Sequence, residues 1–345
     1  MIRHIGYACV NTQLQAKKVK MSTARKSTID AGGEEVITDL ILSNLDSLYK
    51  ILEWNHKKKI KFFRMGSELF PWLGTYDIRK FKRFDEIEYN AGFVGEYARE
   101  KRMRLTFHPG PFNVLCSPNE EVVEKTIKEL DAHSEIFDLM GFAPSFDNKI
   151  NIHVGGAYDD KEATLKRWVQ NWRRLKDSTR QRVVVENDDK SSMFAVTDLM
   201  QLHKMCNKEL PITFDFFHHK FHTGGMTEKE ALDAAVSTWP KGVVPATHYS
   251  ESRREEKVKI ITDIFRNNRI PWEDLEKWPT FKEAYDFYSH IKYQAHSDYV
   301  DGPIDSHGHT IDVMIEAKMK EQAVFGLRDA DTVRKLRAET PLLNG

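Results

Sequence analysis

The sequence predicts a (β/α)8 TIM barrel. Three observations carry that expectation. Short apolar stretches alternate with amphipathic helical stretches, the mark of a parallel sheet with crossover helices. The strand–helix units number about eight. Strand after strand ends in a histidine or an acid, and a closed barrel brings its strand ends to one mouth. An open doubly wound sheet is the alternative, and it would not gather those ends around one centre.

Residues 4–10 (HIGYACV) read as the first strand, ending at Asn11. Residues 12–33 are polar and broken at Gly32-Gly33, a long loop or a helical insertion. From Glu34 to His56 apolar residues recur at helical spacing, with Lys57–Lys59 following where cations suit the helix dipole. Strands are then expected at 61–65, 105–107, 149–152, 182–185, 212–214 and 243–247. Helices are expected at 86–104, 120–140, 161–175, 193–206 and 227–239. Residues 251–293 break the rhythm, being charged and aromatic (Trp272, Trp278, Tyr285, Phe287, Tyr288), and read as an insertion. A weak strand signal returns at 295–299, and 311–325 reads as a last helix carrying Asp312, Glu316, Lys318 and Glu321. The domain reading is one barrel over 1–330 and a tail over 331–345.

Composition narrows the function classes. Lys+Arg and Asp+Glu are both 52, so bulk charge does not hold this chain on nucleic acid. Basic clusters at Lys57–Lys61, Lys80–Arg83, Lys166–Arg174 and Arg253-Arg254 read first as solvated faces. The three cysteines, Cys9, Cys116 and Cys206, form no C-x-x-C pair and read as small buried hydrophobes in a reducing, intracellular compartment. No signal peptide and no membrane-spanning run is expected.

The strand ends carry the chemistry. They present His108, His153, Glu186, Asp215 with His218, His248 and His296, and Glu316 on the last helix joins them. His219 and His222 follow His218 closely, and His307 and His309 compete with His296. Imidazoles and carboxylates without thiolates suit Mn²⁺, Fe²⁺ or Zn²⁺. The set is too large for one tetrahedral zinc and fits two or three divalent ions, with Glu186 bridging. Such centres stabilise attacking and leaving oxygens in phosphoryl displacement and need no protein nucleophile. No Ser–His–Asp or Cys–His arrangement and no Gly-rich phosphate loop competes with this reading.

Ordered strings then carry a resemblance: GYACVN (6–11), RMGSELFP (64–71), HPGPF (108–112), HVGG (153–156), ENDD (186–189), FDFFHH (214–219), THYS (247–250), HSDY (296–299) and DVMIEAKMKE (312–321). Together they resemble the UV damage endonuclease family. The resemblance implies a TIM barrel with a divalent metal cluster, above all Mn²⁺, with Zn²⁺, Co²⁺ or Mg²⁺ as alternatives. It implies incision of double-stranded DNA immediately 5′ to ultraviolet photoproducts, leaving a 3′-hydroxyl and a 5′-phosphate, and it implies no obligate protein partner and no membrane. Carried over by position, it makes His108, His153, Glu186, Asp215, His218, His248, His296 and Glu316 metal ligands. Glu186, Asp215, His218 and Glu316 are the catalytic core. Tyr7, Asn11, Arg64, Pro111 and Phe112 fall where DNA or the lesion is contacted, Arg64 alternatively as a structural ion pair.

Three departures stand out. Pro111-Phe112 replaces the family's Gln-Tyr wedge, so stacking by Phe112 is kept and the amide is lost. Ala246 stands where a lysine is usual, and Trp72 where a histidine usually follows Pro71. Two rivals remain on the residues alone. One is a sugar isomerase or epimerase on the same barrel. The other is a lesion binder without catalysis.

Overall fold

The computed structural model describes residues 1–266 and 281–339, with side chains described for 1–262 and 282–331. Eight parallel strands lie in the order β6-β5-β4-β3-β2-β1-β8-β7. They are β1 (Ile2–Ala8), β2 (Phe62–Met65), β3 (Arg104–Phe107), β4 (Ile150–His153), β5 (Val183–Glu186), β6 (Ile212–Thr213), β7 (Ala246–Tyr249) and β8 (Ile311–Ile315). A parallel bridge between Asp215 and His248 joins β6 to β7 and brings the sheet to a nearly closed TIM barrel.

The main helices of the ring are α2 (Lys26–Lys57), α3 (Phe84–Glu100), α4 (Glu120–Leu139), α5 (Lys161–Trp172), α7 (Val196–Met205), α9 (Glu228–Ser237) and α12 (Glu321–Glu339). Short helices α1 (Thr12–Gln15), α6 (Asp177–Arg180) and α8 (Phe216–Phe221) fill connections. The polar stretch 12–33 resolves into α1, a loop and the first turns of α2, with a kink at Gly33, whose φ of 62° suits glycine. Between β7 and β8 the chain forms α10 (Arg253–Arg266) and α11 (Phe281–Ser289). Trp272, Trp278 and residues 340–345 of the tail lie outside the described residues. No described helix is long and apolar enough to cross a membrane.

Strand alternation sorts the side chains. Tyr7, Phe63, Leu105, Ile150, Ile152, Val183, Val185, Ile212, Val313 and Ile315 belong to the main apolar core with the helices. Ala8, Phe62, Val184, Ala246, Met314 and Trp239 make a second, smaller cluster. On β2, β5, β7 and β8 the residues two positions beyond its members are Arg64, Glu186, His248 and Glu316, so one face of each strand leads to the mouth. Nearer the N-terminal ends, buried Asp312 pairs with Arg104 (2.8 Å) and Arg3.

Two expectations at the C-terminal end fail. Residues 295–299 form no strand beyond a single bridge between Ser252 and His296. The last strand is β8, within the stretch read as helical. All five of its residues are buried and pair with β1 and β7, and Asp312, one of the acids that mimicked a helix face, sits inside the barrel neutralised by two arginines. Cys116 and Cys206 are buried, whereas Cys9 is half-buried at the end of β1.

Candidate metal centre

Register builds the centre. His153 and Glu186 end β4 and β5 and pair directly across the sheet. His108 follows β3, Asp215 follows β6, His248 lies in β7, and Glu316 follows β8 rather than starting a helix. Asp215 also caps α8: its Oδ1 accepts from the His218 backbone N–H at 2.8 Å, which fixes His218 one turn away.

Glu186 is the hub. Its Oε2 lies 3.0 Å from His108 Nε2 and 3.7 Å from His153 Nε2. Its Oε1 lies 3.0 Å from His248 Nδ1 and 3.6 Å from His218 Nδ1. Ligand atoms of His108, Glu186 and His248, of His153, Glu186 and His218, and of Asp215, His248 and Glu316 each fall within 4.8 Å of one another. Seven of the expected ligands therefore meet at one place. His296 stands beside them, its Nδ1 donating to the Glu316 carbonyl at 2.9 Å. His307 and His309 precede β8 and pair with Glu228 and Asp233.

The electrostatics call for cations. Burial pushes the Asp215 carboxyl up to about 7, and Glu186 and Glu316 add to this against the pull of His218. Asp215 Oδ2 is buried without a hydrogen-bond partner among the described residues. Burial opposes ionisation of Glu186 too, but His248, His153 and His108 together hold it well below the carboxylate range. Burial lowers the His153 and His218 rings, yet Glu186 with Asp188 raises His153 to about 9, and Asp215 with Glu186 raises His218 to about 10. Buried carboxylates converging on an orphaned oxygen, with imidazoles between them, fit divalent ions.

The outer residues were not anticipated. Lys149 Nζ, fully buried, donates to Asn151 Oδ1 (2.9 Å) and Thr213 Oγ1 (2.8 Å) and lies 3.2 Å from His248 Nε2. Burial holds its amine well below the usual lysine range. Asn151 also donates to Glu186. The signal was present in KINIH (149–153): polar residues at every second position of a buried strand need polar partners. At the position where the resemblance implies a lysine, Ala246 packs against the second apolar cluster.

The expected DNA contacts divide. Pro111 and Phe112 sit on the loop after β3, and Phe112 is 89 % exposed. Arg64 is turned inward and ion-paired with Glu316. Tyr7 and Asn11 are buried. Tyr7 lies on the helix-facing side of β1, where its hydroxyl donates to Asn55 (2.7 Å) and accepts from Asn11 (2.9 Å). Both side chains are enclosed and hydrogen-bonded to one another in this structure. Among the described residues, six of the thirteen cations of the basic clusters are ion-paired: Lys57 with Glu53, Lys80 with Asp77, Arg83 with Glu86, Lys166 with Glu162, Arg174 with Glu120 and Arg253 with Asp298.

The family model for UV-endonuclease UvdE matches residues 3–341. The chain belongs to this family. It is 34 % identical over 336 residues to the UV-damage endonuclease of Schizosaccharomyces pombe, covering 94 % of this chain and 50 % of that protein. It is 27 % identical over 328 residues to a UV DNA damage endonuclease of Bacillus cereus, covering 94 % and 92 %. The chain thus spans about half the length of its fission-yeast relative. The solved structure of SacUVDE superposes with a TM-score of 0.73 at 28 % identity, covering 97 % of this chain and 99 % of that one. In this UvdE-family chain, the mouth of the barrel gathers imidazoles and carboxylates that could hold metal ions.

Proposed function

We propose that this chain is a metal-dependent DNA repair endonuclease that cuts the backbone immediately 5′ to ultraviolet photoproducts, leaving a 3′-hydroxyl and a 5′-phosphate. The observation that carries the proposal is the set of three ligand groups at the barrel mouth, two of them sharing Glu186. Family membership supplies the substrate class. The residues present would hold two or three ions. Glu186 with His108 and His248 forms one ligand group, Glu186 with His153 and His218 another, and Asp215 with His248 and Glu316 a third. Mn²⁺ is the ion we assign, as the family resemblance implies; the mixed carboxylate and imidazole donors are compatible with it, as they are with Fe²⁺ or Zn²⁺.

When bound, such ions supply positive charge to phosphoryl oxygens and hydroxide at neutral pH. The protein's own groups do the rest. Glu186 spans the centre and keeps the imidazoles turned inward. Arg64 neutralises Glu316 and fixes its carboxylate. Phe112 offers an aromatic face to a base that damage has already unstacked. His296, beside Glu316 and less buried, stands at the edge of these ligand groups.

The test is incision of a 5′-labelled duplex carrying one defined pyrimidine photoproduct, with Mn²⁺ and with chelator. A metal-dependent cut directly 5′ to the lesion, absent on undamaged duplex, is the expected result. Lesion binding without a cut under any of Mn²⁺, Mg²⁺, Co²⁺ or Zn²⁺ would refute it.

A further inference from the structure

Four imidazoles at the centre have Nδ1 nearest an oxygen outside the Glu186 and Glu316 carboxylates. His108 faces the Pro109 carbonyl (3.1 Å), His153 Asp188 (3.0 Å), His218 the Asn187 carbonyl (2.8 Å) and His296 the Glu316 carbonyl (2.9 Å). His248 is reversed. Its Nδ1 faces Glu186 (3.0 Å) and Glu316 (3.3 Å), and its outward Nε2 meets the amine of Lys149 (3.2 Å). Both side chains are buried to within 1 %. The amine is itself anchored on Asn151 and Thr213. Packing alone does not account for a lysine here, because an apolar chain of that length would fill the space without desolvating an amine.

We propose that Lys149 is the positioning residue of His248, holding the ring so that Nδ1 faces the carboxylates of Glu186 and Glu316. This rests on the metal-centre reading above. A ring without its outer partner is free to tilt or flip, which removes a ligand atom from the groups that contain His248. Outer partners of ligating histidines are worth about 10–100-fold in metal affinity.

The experiment measures Mn²⁺ binding to the full chain without DNA, after chelation and dialysis, by calorimetry and by electron paramagnetic resonance of free Mn²⁺. Circular dichroism and melting in chelator check the fold. Lys149→Met should weaken one Mn²⁺ by about 10–100-fold. Lys149→Gln should recover most of that loss, because its amide offers Nε2 a donor and an acceptor and so serves either tautomer of the ring. Thr213→Val keeps the shape, loosens the amine and should weaken the same ion several-fold. It carries the test if Lys149→Met does not fold. Folded Lys149→Met and Thr213→Val proteins binding every ion within twofold of the unsubstituted chain would overturn the proposal. Equal weakening by Met and Gln would also overturn it, by assigning Lys149 to packing. An unsubstituted chain that binds no divalent ion would instead refute the metal centre, and this inference with it.

Discussion

Asp215 and His248 form the bridge that joins β6 to β7, and both aim a ligand atom at the same place. The backbone reinforces it, with the His248 N–H donating to the Phe214 carbonyl at 2.9 Å. The same two residues therefore complete the sheet and contribute to the candidate centre. Ions held there would stabilise the barrel by mass action, since the unfolded chain has no such site.

Asp215→Asn separates the two roles. Asparagine keeps the cap on α8 and removes a buried charge that repels Glu186 and Glu316. In chelator the melting temperature should hold or rise. The increase produced by Mn²⁺ should shrink or vanish. A variant that melts several degrees lower in chelator would show Asp215 to be structural.

Glu186→Gln should leave the fold intact and reduce incision by about 10²–10³-fold or more, the scale for losing one group that stabilises transition-state charge. Single-turnover cleavage of the lesion duplex at saturating Mn²⁺ measures it. Full activity would remove Glu186 from the centre of the mechanism.

Proton release follows from the histidines. His153 and His218 are raised to about 9 and about 10, so both rings carry a proton at pH 7 when no ion is bound. Ligation needs the neutral ring, so binding expels protons and affinity rises with pH between 6 and 9. The stability of the ion-free chain runs the other way. Raised folded values contribute stability below pH 6.5, which is lost as pH passes through 9 and then 10. The Mn²⁺-induced shift in melting temperature should therefore grow from pH 6 to pH 9. Calorimetry in buffers of different ionisation enthalpy counts the protons.

Much of this was legible before any coordinates. The alternation of strands and helices gave the barrel, and reading only strand ends gave His108, His153, Glu186, Asp215, His218 and His248. Glu316 was found on the wrong element, because acids at 312, 316 and 321 imitate a helix face when their partners are unknown. Asp312 is in fact matched by Arg3 and Arg104, hundreds of positions away in the chain, which no local pattern reveals. Lys149 was passed over for the same reason. Its meaning lies in Thr213 and His248, on other strands.

Tyr7 shows what strand alternation adds to the resemblance. Its neighbours Gly6 and Ala8 take the other face of β1, so its ring faces the helices, and its hydroxyl ties β1 to Asn55 of α2 and to Asn11. Tyr7→Phe should cost stability of about 1–3 kcal/mol, because it strands buried amides. Mn²⁺ and lesion affinity per folded molecule should not change. A selective loss of lesion binding at unchanged melting temperature would return Tyr7 to the DNA.

Phe112 offers the opposite case, an aromatic ring 89 % exposed on a mouth loop. Pro109 and Pro111 restrict the backbone just before it, which lowers the entropy of holding the ring against a base. Such exposure contributes little to folding, so Phe112→Ala should change stability by no more than about 0.5 kcal/mol. Stacking on one base is worth about 1–3 kcal/mol, so affinity for the lesion duplex should fall about 5–150-fold. Undamaged duplex, whose bases stay stacked, should be bound as before. Fluorescence anisotropy on the two duplexes in chelator decides between the outcomes. An equal loss on both would make Phe112 a general backbone contact, and no loss on either would leave damage recognition to other residues of the mouth.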